Sequence, residues 1–218
     1  AGRVDFGGNS RHLEFALAAV GTKRVVGRLV KLISDNKIPV ERQEGLLGMI
    51  ALQGDARQLS FAFERSEGRA SILGALARSA LERKVRPSGG LGGVAKLLGS
   101  RDSGTQAAGA RLAGLWKLTD LRVAVGRLAT ITDDDDVRMA ALEGLAYLSD
   151  EASVSFLRDL SVKGKSAGLR VGAVAALASV DPAGAAPLAV ELLVSSDQQG
   201  RRRIFTAFLQ RQGGAEAI

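Results

Sequence analysis

The sequence predicts an all-α fold, a right-handed α-solenoid of about six to seven stacked helical repeats. Three observations support this prediction. Apolar residues make up 46% of the 218 residues, yet aromatic residues make up only 4%, and small apolar side chains suit closely packed helices. Only four prolines occur. Finally, one apolar pattern with helical spacing recurs at intervals of about thirty residues, the length of a helix pair.

The recurrence is clearest in two stretches, VRMAALEGLAYLSD at 137–150 and LRVGAVAALASVDP at 169–182. Both place apolar residues at i, i+3 and i+4, which is the spacing of one helix face. An apolar-x-x-apolar motif marks the same point in each copy, and its last residue is taken here as the anchor of the repeat. The anchors fall at positions 20, 50, 76, 115, 145, 177 and 209.

A second helical pattern lies between the anchors, so each repeat should contain two helices. Examples are RVVGRLVKLISD, LRVAVGRLATI, SVSFLRDLSV and AAPLAVELLVSS. Turn residues separate the patterns in SDNKIP, RPSGGLGG, TDDDD, KGKSAG, VDPAG and SSDQQG. A helix pair of this size must stack on neighbours to bury its apolar faces. We therefore predict that residues 1–218 form a single repeat domain, excised from a larger protein, since the chain opens on AGRVDFGG without a methionine.

The second helix of each repeat follows a recognisable pattern. The copies read VERQEGLLGMI, EGRASILGAL, DDDDVRMAALEGL, AGLRVGAVAAL and QGRRRIFTAFL. They resemble HEAT (armadillo-like) repeats, in which the second helix reads roughly V-R-x-x-A-a-x-A-L after an acidic turn. This resemblance covers nearly the whole chain. It implies a solenoid fold, and it implies little about function, because function depends on sites carried by the fold.

Residues 105–218 also resemble a narrower group. LAGLWKLTDLR, VRMAALEGLAYLSDEASVSFLRDLS, ALASVDPAGAAPLAVELL and FLQRQGGAEAI are similar to the HEAT segment of multidomain PVC-type haem-binding proteins, also called membrane-bound dehydrogenases. That resemblance implies a β-propeller before the repeats, a c-type cytochrome domain after them and an extracytoplasmic (periplasmic or secreted) location. This chain contains no CxxCH motif, so no haem-ligating or catalytic residue carries over and no cofactor is predicted.

Charge is distributed unevenly along the chain. The net charge is +7, but residues 1–118 hold 19 Lys and Arg against 10 Asp and Glu, whereas residues 119–218 hold 11 against 13. A basic half of this kind attracts an acidic protein, nucleic acid or anionic lipid. The candidate basic binding face consists of five arginines expected on second helices, namely Arg42, Arg69, Arg78, Arg83 and Arg111.

Arginine also recurs near the start of the second helices, at Arg138, Arg170 and Arg202, with Arg69 and either Arg42 or Gln43 corresponding in earlier repeats. One interpretation is a ladder of cations that binds an anionic partner. The other is that each guanidinium bonds a neighbouring turn or an acidic side chain and ties repeats together. We favour the second, because repeat periodicity follows packing and because a cation near a helix N-terminus needs a fixed acceptor.

Two other segments have compositions that are also found in ligand-binding loops. The run DDDD at 133–136 could hold Ca²⁺, but it lacks the alternate spacing of a calcium loop, so we favour an N-cap followed by first-turn acids. Asp120, Asp150 and Asp181 are likewise predicted to be turn or cap residues. GGLGG at 89–93 resembles a phosphate-binding loop, but no predicted strand precedes it, so we favour an irregular, flexible connector.

The chain contains few residues of the types that catalysis and metal binding require. The chain has no cysteine and one histidine, His12, which excludes a zinc site of nitrogen and sulfur ligands and leaves no convincing Ser-His-Asp set. We predict no catalytic residue and no metal. Trp116 is expected in the core, and Tyr147 is expected to be partly exposed. No apolar run reaches the ~18 residues that a membrane span needs.

The leading functional hypothesis is a non-catalytic scaffold, which docks or spaces neighbouring domains or binds a protein partner. The alternative is a nucleic-acid-binding protein similar to the HEAT-like alkylpurine DNA glycosylases. Net charge favours that alternative, but the scarcity of Trp and Tyr argues against a base-handling pocket. A lyase-type HEAT protein that handles bilins is a third hypothesis, which only the shared repeat supports.

Overall fold

The computed structural model describes residues 22–209. Within this range the chain forms α-helices, one short 3₁₀ helix at Thr119–Leu121 and no strand, which confirms the all-α prediction. The helices are α1 Thr22–Ser34, α2 Val40–Gln53, α3 Ala56–Glu64, α4 Ala70–Arg83, α5 Gly93–Leu98, α6 Ser103–Leu115, α7 Arg122–Ile131, α8 Asp135–Leu148, α9 Glu151–Lys163, α10 Ala167–Ala178, α11 Pro182–Ser195 and α12 Gln198–Leu209.

The helices of the described range form six consecutive pairs, with odd-numbered first helices and even-numbered second helices, as an α-solenoid requires. The anchors at 50, 76, 145, 177 and 209 all lie in second helices. The predicted anchor at Val20, together with His12 and the C-terminal RQGGAEAI, lies outside the described residues. The chain divides into two compact units, the first ending at Gly93 and the second beginning at Val94.

Two anchors were placed wrongly by the sequence pattern, at Leu115 and at Leu209. Asp197 caps the start of α12 as Ser166 caps α10, so the fully buried Phe208, not the exposed Leu209, is the equivalent of Leu177. Asp102 and Asp134 are the N-caps of α6 and α8, and aligning the two caps makes Ala113, not Leu115, the equivalent of Leu145. Burial agrees, because Ala113 is fully buried whereas Leu115 is partly exposed. The motif LAGL contains two apolar candidates for the anchor, Ala113 and Leu115. Alanine is the less hydrophobic of the two, so the sequence pattern pointed to Leu115. The true anchor lies two positions earlier and shortens the longest spacing accordingly.

Aspartates begin many of these helices. Asp134 Oδ1 accepts hydrogen bonds from Asp136 N and Val137 N at 2.9 and 3.0 Å, which confirms the capping interpretation of the DDDD run. Asp150 and Asp181 cap α9 and α11 through the backbone nitrogens three residues on, as predicted. Asp120 lies in the 3₁₀ helix.

The hydrogen bonds at the caps favour the charged carboxylate. The side chain and backbone of Thr105 lower the pKa of Asp102, and the backbone of Val137 lowers the pKa of Asp134. At Asp150, burial raises the pKa, but hydrogen bonds from Ser153 and the nearby Arg122 outweigh it and the net shift is downward. Acid should therefore weaken these helix starts.

Helices α6 and α8 approach so closely that their crossing requires glycine. A Cβ added at Gly114 would lie 2.2 Å from the carbonyl oxygen of Gly144, and one added at Gly144 would lie 2.3 Å from that of Ala110. Trp116 is fully buried just after α6, and Tyr147 is partly exposed, as the sequence predicts for both. The second unit therefore has a tightly packed interior at this crossing.

The GGLGG segment belongs to a connector that packs on α3. Ser88 N donates to Ala56 O and Gly89 N donates to Ser60 Oγ, both at 3.0 Å. Residues 84–92 are non-helical, and α5 begins at the last glycine of the segment, Gly93. This connector and the short α5 together account for the longest spacing between anchors. No strand precedes the segment within residues 22–209, so a phosphate-binding loop lacks its framework there.

Candidate protein-binding groove

The recurring arginines occupy one position, seven residues before each anchor, which we call the ladder position. Its occupants are Gln43, Arg69, Gln106, Arg138, Arg170 and, counted from Phe208 as the last anchor, Arg201. Arg170 Nη1 donates to Gly164 O at 3.0 Å, and Arg138 donates to Thr132 O and Asp135. Gly164 and Thr132 are the C-caps of α9 and α7. The side chain thus reaches back from the second helix to the end of the first helix of its own repeat.

The same bond forms where the ladder residue carries no charge. Gln43 Nε2 donates to Ile38 O and Gln106 Nε2 donates to Leu98 O, both at 2.9 Å. These carbonyls lie at or just beyond the end of a first helix, where backbone acceptors lack helical partners. The ladder position therefore needs a hydrogen-bond donor more than it needs a cation. The sequence pattern placed Arg202 one residue too late, because Arg201 N bonds Asp197 O as Arg170 N bonds Ser166 O. Arg201 and Arg202 are both exposed, and neither forms a side-chain bond with residues 22–209.

Three of the five arginines predicted as a basic face form side-chain hydrogen bonds or ion pairs within the chain. Arg83 donates to Leu52 O and Gly54 O at 2.6 and 2.7 Å, which satisfies the end of α2. Arg111 Nε bonds Glu143 Oε2 at 2.7 Å in the second unit. Arg69 does not lie on a second helix as expected, because it is the N-cap of α4.

The extended backbone of Arg69 lets its guanidinium reach Arg65 O and Ser66 O at 3.1 Å. The two remaining arginines, Arg42 and Arg78, are exposed in the first unit. Neither forms a side-chain hydrogen bond or ion pair with residues 22–209. Three of the five arginines therefore have internal partners, and Arg42 and Arg78 are the two of the first unit that do not.

A groove of about 560 Å³ lies in the first unit between α1, α2 and α4. Its floor holds three interior helical glycines, Gly45, Gly48 and Gly74, and a Cβ added at any of them would meet no atom within 4 Å. Arg78 and Gln53 supply polar groups, and Ser71 Oγ donates to Glu44 beside the groove at 2.5 Å. The remaining lining is Val25, Val26, Leu29, Met49, Leu52, Ala70 and Ala75.

The spacing of glycines in the sequence, and not the charged residues, indicates this groove. Gly48 and Gly74 each lie two residues before an anchor, and Gly45 lies one turn before Gly48. Glycine inside a helix is destabilising relative to alanine, so two glycines at the same repeat position call for a packing or functional reason. Only the structure shows that no neighbour packs against them.

The described residues contain neither a candidate metal site nor a candidate membrane-spanning helix. Between residues 22 and 209, no group of three or more His, Cys, Asp or Glu side chains is arranged to hold a metal ion. None of the described helices is long and apolar enough to cross a membrane.

Residues 125–210 match the HEAT-repeat family, described as HEAT repeats. The match runs from α7 to the end of α12, which includes three consecutive helix pairs, and it supports the α-solenoid assignment. Repeats of this family commonly mediate protein interactions. Comparison with curated proteins and with solved structures gave no match. The narrower similarity to PVC-type haem-binding proteins stays a prediction.

Proposed function

We propose that this chain is a non-catalytic protein-interaction scaffold and that the groove of the first unit binds a partner segment containing apolar and acidic side chains. The observation that carries this proposal is the set of open glycines on the groove floor beside an arginine with no partner among residues 22–209. The HEAT-repeat match supports an interaction role for the fold in general.

The glycines support a site that receives side chains from outside. Each interior helical glycine destabilises its helix by about 0.5–1 kcal/mol relative to alanine. At Gly114 and Gly144 of the second unit that loss is offset by close helix contact, but Gly45, Gly48 and Gly74 gain no such contact. A groove that must remain open for a partner gives these positions a reason to lack a side chain.

Charge favours an acidic partner. Arg78 lines the groove, and Arg42 lies on α2 three residues before the first groove glycine. Glu44 on the same helix keeps its negative charge, and its carboxylate accepts a hydrogen bond from Ser71 of α4 beside the groove. A guanidinium forms two parallel hydrogen bonds with a carboxylate. In a partner segment, an Asp or Glu would therefore pair with Arg78 at the rim of the groove, and the apolar residues that flank it would occupy the floor.

The experiment uses peptides selected from a random phage-displayed library against the 218-residue chain, followed by fluorescence anisotropy with the selected peptides. Gly48→Leu fills the floor and Arg78→Glu reverses the rim charge, so each should weaken binding at least tenfold. Arg28→Glu is the matched control, because Arg28 is an exposed arginine of the same unit that does not line the groove. Selected peptides without acidic residues, or peptides that bind Gly48→Leu as tightly as the wild type, would contradict the proposal.

The finer role proposed here is that a single repeat domain spanning residues 1–218 spaces or docks neighbouring domains of a larger secreted dehydrogenase- or cytochrome-like protein. It rests on the narrower resemblance, and the surrounding reading frame tests it. A secretory signal upstream and a CxxCH motif downstream would support this role, and the absence of both would contradict it. Internal bonds to Arg69, Arg83 and Arg111 remove most of the support for the nucleic-acid alternative.

A further inference from the structure

A cleft of about 410 Å³ lies between two first helices of the second unit, α7 and α9. A Cβ added at Gly126 of α7 would lie 3.0 Å from Phe156 of α9, so the phenylalanine ring packs directly against the glycine. Described helix pairs precede and follow these helices, so the cleft does not lie where the described range stops. The lining is Arg122, Val123, Gly126, Arg127, Thr130, Ala152 and Phe156.

The equivalent place between α9 and α11 is filled by a side chain of the chain itself. The C-cap N–H groups of α7 and α9 bond Leu128 O and Leu160 O, an alignment that makes Arg158 the equivalent of Gly126. Arg158 Nη2 bonds Asp181, the N-cap of α11, at 2.9 Å. Its side chain therefore spans from α9 to α11, whereas the α7–α9 cleft has only a glycine at that position.

An arginine also reaches the cap aspartate of the α7–α9 cleft, but it comes from a different turn. Arg122 Nη1 bonds Oδ1 of Asp150, the N-cap of α9, at 2.9 Å. Arg122 lies about one helical turn before Gly126, in the first turn of α7. The ion pair therefore lies at one end of the cleft. Its middle, where the half-buried Phe156 meets Gly126, stays uncovered.

Charge in the cleft favours an acidic occupant. The charged residues that line it are Arg122 and Arg127, and neither Glu151 nor Asp159 of α9 belongs to the lining. Asp150 neutralises Arg122. Arg127 is exposed and forms no side-chain hydrogen bond or ion pair with residues 22–209. A carboxylate from outside the chain can therefore bond the Arg127 guanidinium without displacing an internal partner.

We propose that the α7–α9 cleft is a second protein-docking site, which takes an aromatic or branched apolar side chain of a partner segment next to an Asp or Glu. The apolar side chain packs on Phe156, and the carboxylate pairs with Arg127. A small molecule needs most of its surface enclosed, so an open cleft between two helices better suits a side chain that a partner presents. The site is separate from the groove of the first unit and does not depend on it.

The test selects peptides from a random phage-displayed library against the 218-residue chain carrying Arg78→Glu, which disables the groove of the first unit. Selected peptides should carry an aromatic or branched apolar residue beside Asp or Glu. Adding Arg127→Glu or Val123→Asp should raise the peptide Kd by about tenfold or more in fluorescence anisotropy. Val123 is 78% exposed, so its variant should keep the circular dichroism spectrum of the parent chain.

Arg101→Glu and Ile131→Asp are the matched controls. Arg101 is an exposed arginine of the second unit, Ile131 is a 61% exposed residue of α7, and neither lines the cleft. Both should leave the peptide Kd nearly unchanged. The proposal is overturned if no peptide is selected, if the selected peptides are basic, or if cleft and control variants have equal effects. Because the groove is disabled in every chain used, failure here leaves the groove proposal standing.

Discussion

The position two residues before each anchor separates the two units. In the first unit it holds Gly48 and Gly74, which leave an open groove. In the first two repeats of the second unit it holds Arg111 and Glu143, whose side chains pair at 2.7 Å, and in the next repeat it holds Ala175. At this position glycine leaves the surface of α2 and α4 open, whereas an ion pair covers it on α6 and α8.

Glycine itself plays opposite roles in the two units. Gly114 and Gly144 bring α6 and α8 into backbone contact, and any side chain there would collide with a carbonyl oxygen. Gly45, Gly48 and Gly74 face open space. The role of a helix glycine in this protein therefore depends on which atoms lie beside it. Substituting the two kinds of glycine should have opposite effects on stability.

The largest effect is expected for Gly144→Ala. Its Cβ would lie 2.3 Å from Ala110 O, so α6 and α8 must move apart, which should lower the free energy of unfolding by about 3 kcal/mol. Guanidinium titration followed by the fluorescence of Trp116, the sole tryptophan, reports on the second unit. An unchanged midpoint would mean that the helices separate freely.

Gly48→Ala is the matched substitution in the first unit. Nothing lies within 4 Å of the added Cβ, so the helix should gain stability, raising the free energy of unfolding by about 0.5–1 kcal/mol. Circular dichroism of the helical signal during the same titration measures it. Loss of stability would show that the floor of the groove is packed.

Arg138→Ala should lower the free energy of unfolding by about 1–2 kcal/mol, because Thr132 O loses its side-chain donor. Arg138→Gln should recover most of that loss, since Gln43 and Gln106 make the equivalent bond. Trp116 fluorescence in guanidinium compares the two variants. If glutamine is as destabilising as alanine, the ladder position depends on charge after all.

Acid should destabilise the second unit through its capped helices. A carboxyl whose folded pKa is lowered stabilises the fold fully above its unfolded pKa, and that contribution is lost as pH falls through the folded value. For Asp150 the loss begins near the ordinary value of 3.8 and continues below it. Asp150→Asn should accept the same backbone bond without titrating, so its stability should fall less steeply below about pH 4. Trp116 fluorescence against pH measures both curves, and identical curves would rule out this contribution.

The smallest effect is expected at Arg111 and Glu143. The pair is more than one-third exposed on both sides, so its coupling should be only about 0.5 kcal/mol. A double-mutant cycle of Arg111→Ala and Glu143→Ala, followed by thermal unfolding, gives that coupling. A value above about 2 kcal/mol would show that the closed surface of the second unit is a main source of its stability.

The sequence by itself determined the repeat architecture. Apolar spacing is a local property of the chain, and it located the helix pairs, the aspartate caps and the buried Trp116. It failed at two anchors. Leu115 is more hydrophobic than Ala113 but less buried, and Leu209 is exposed beside the fully buried Phe208. The longest spacing was recognised, but the short α5 within it was not.

The tertiary structure alone decided which side chains are free to act. The arginines of the first half look alike in the sequence, yet Arg83 and Arg111 are bonded to partners in a neighbouring repeat, whereas Arg42 and Arg78 are not. The groove likewise arises from a missing neighbour at Gly48. The absence of a neighbour is a property of packing between repeats, and local apolar patterns contain no record of it.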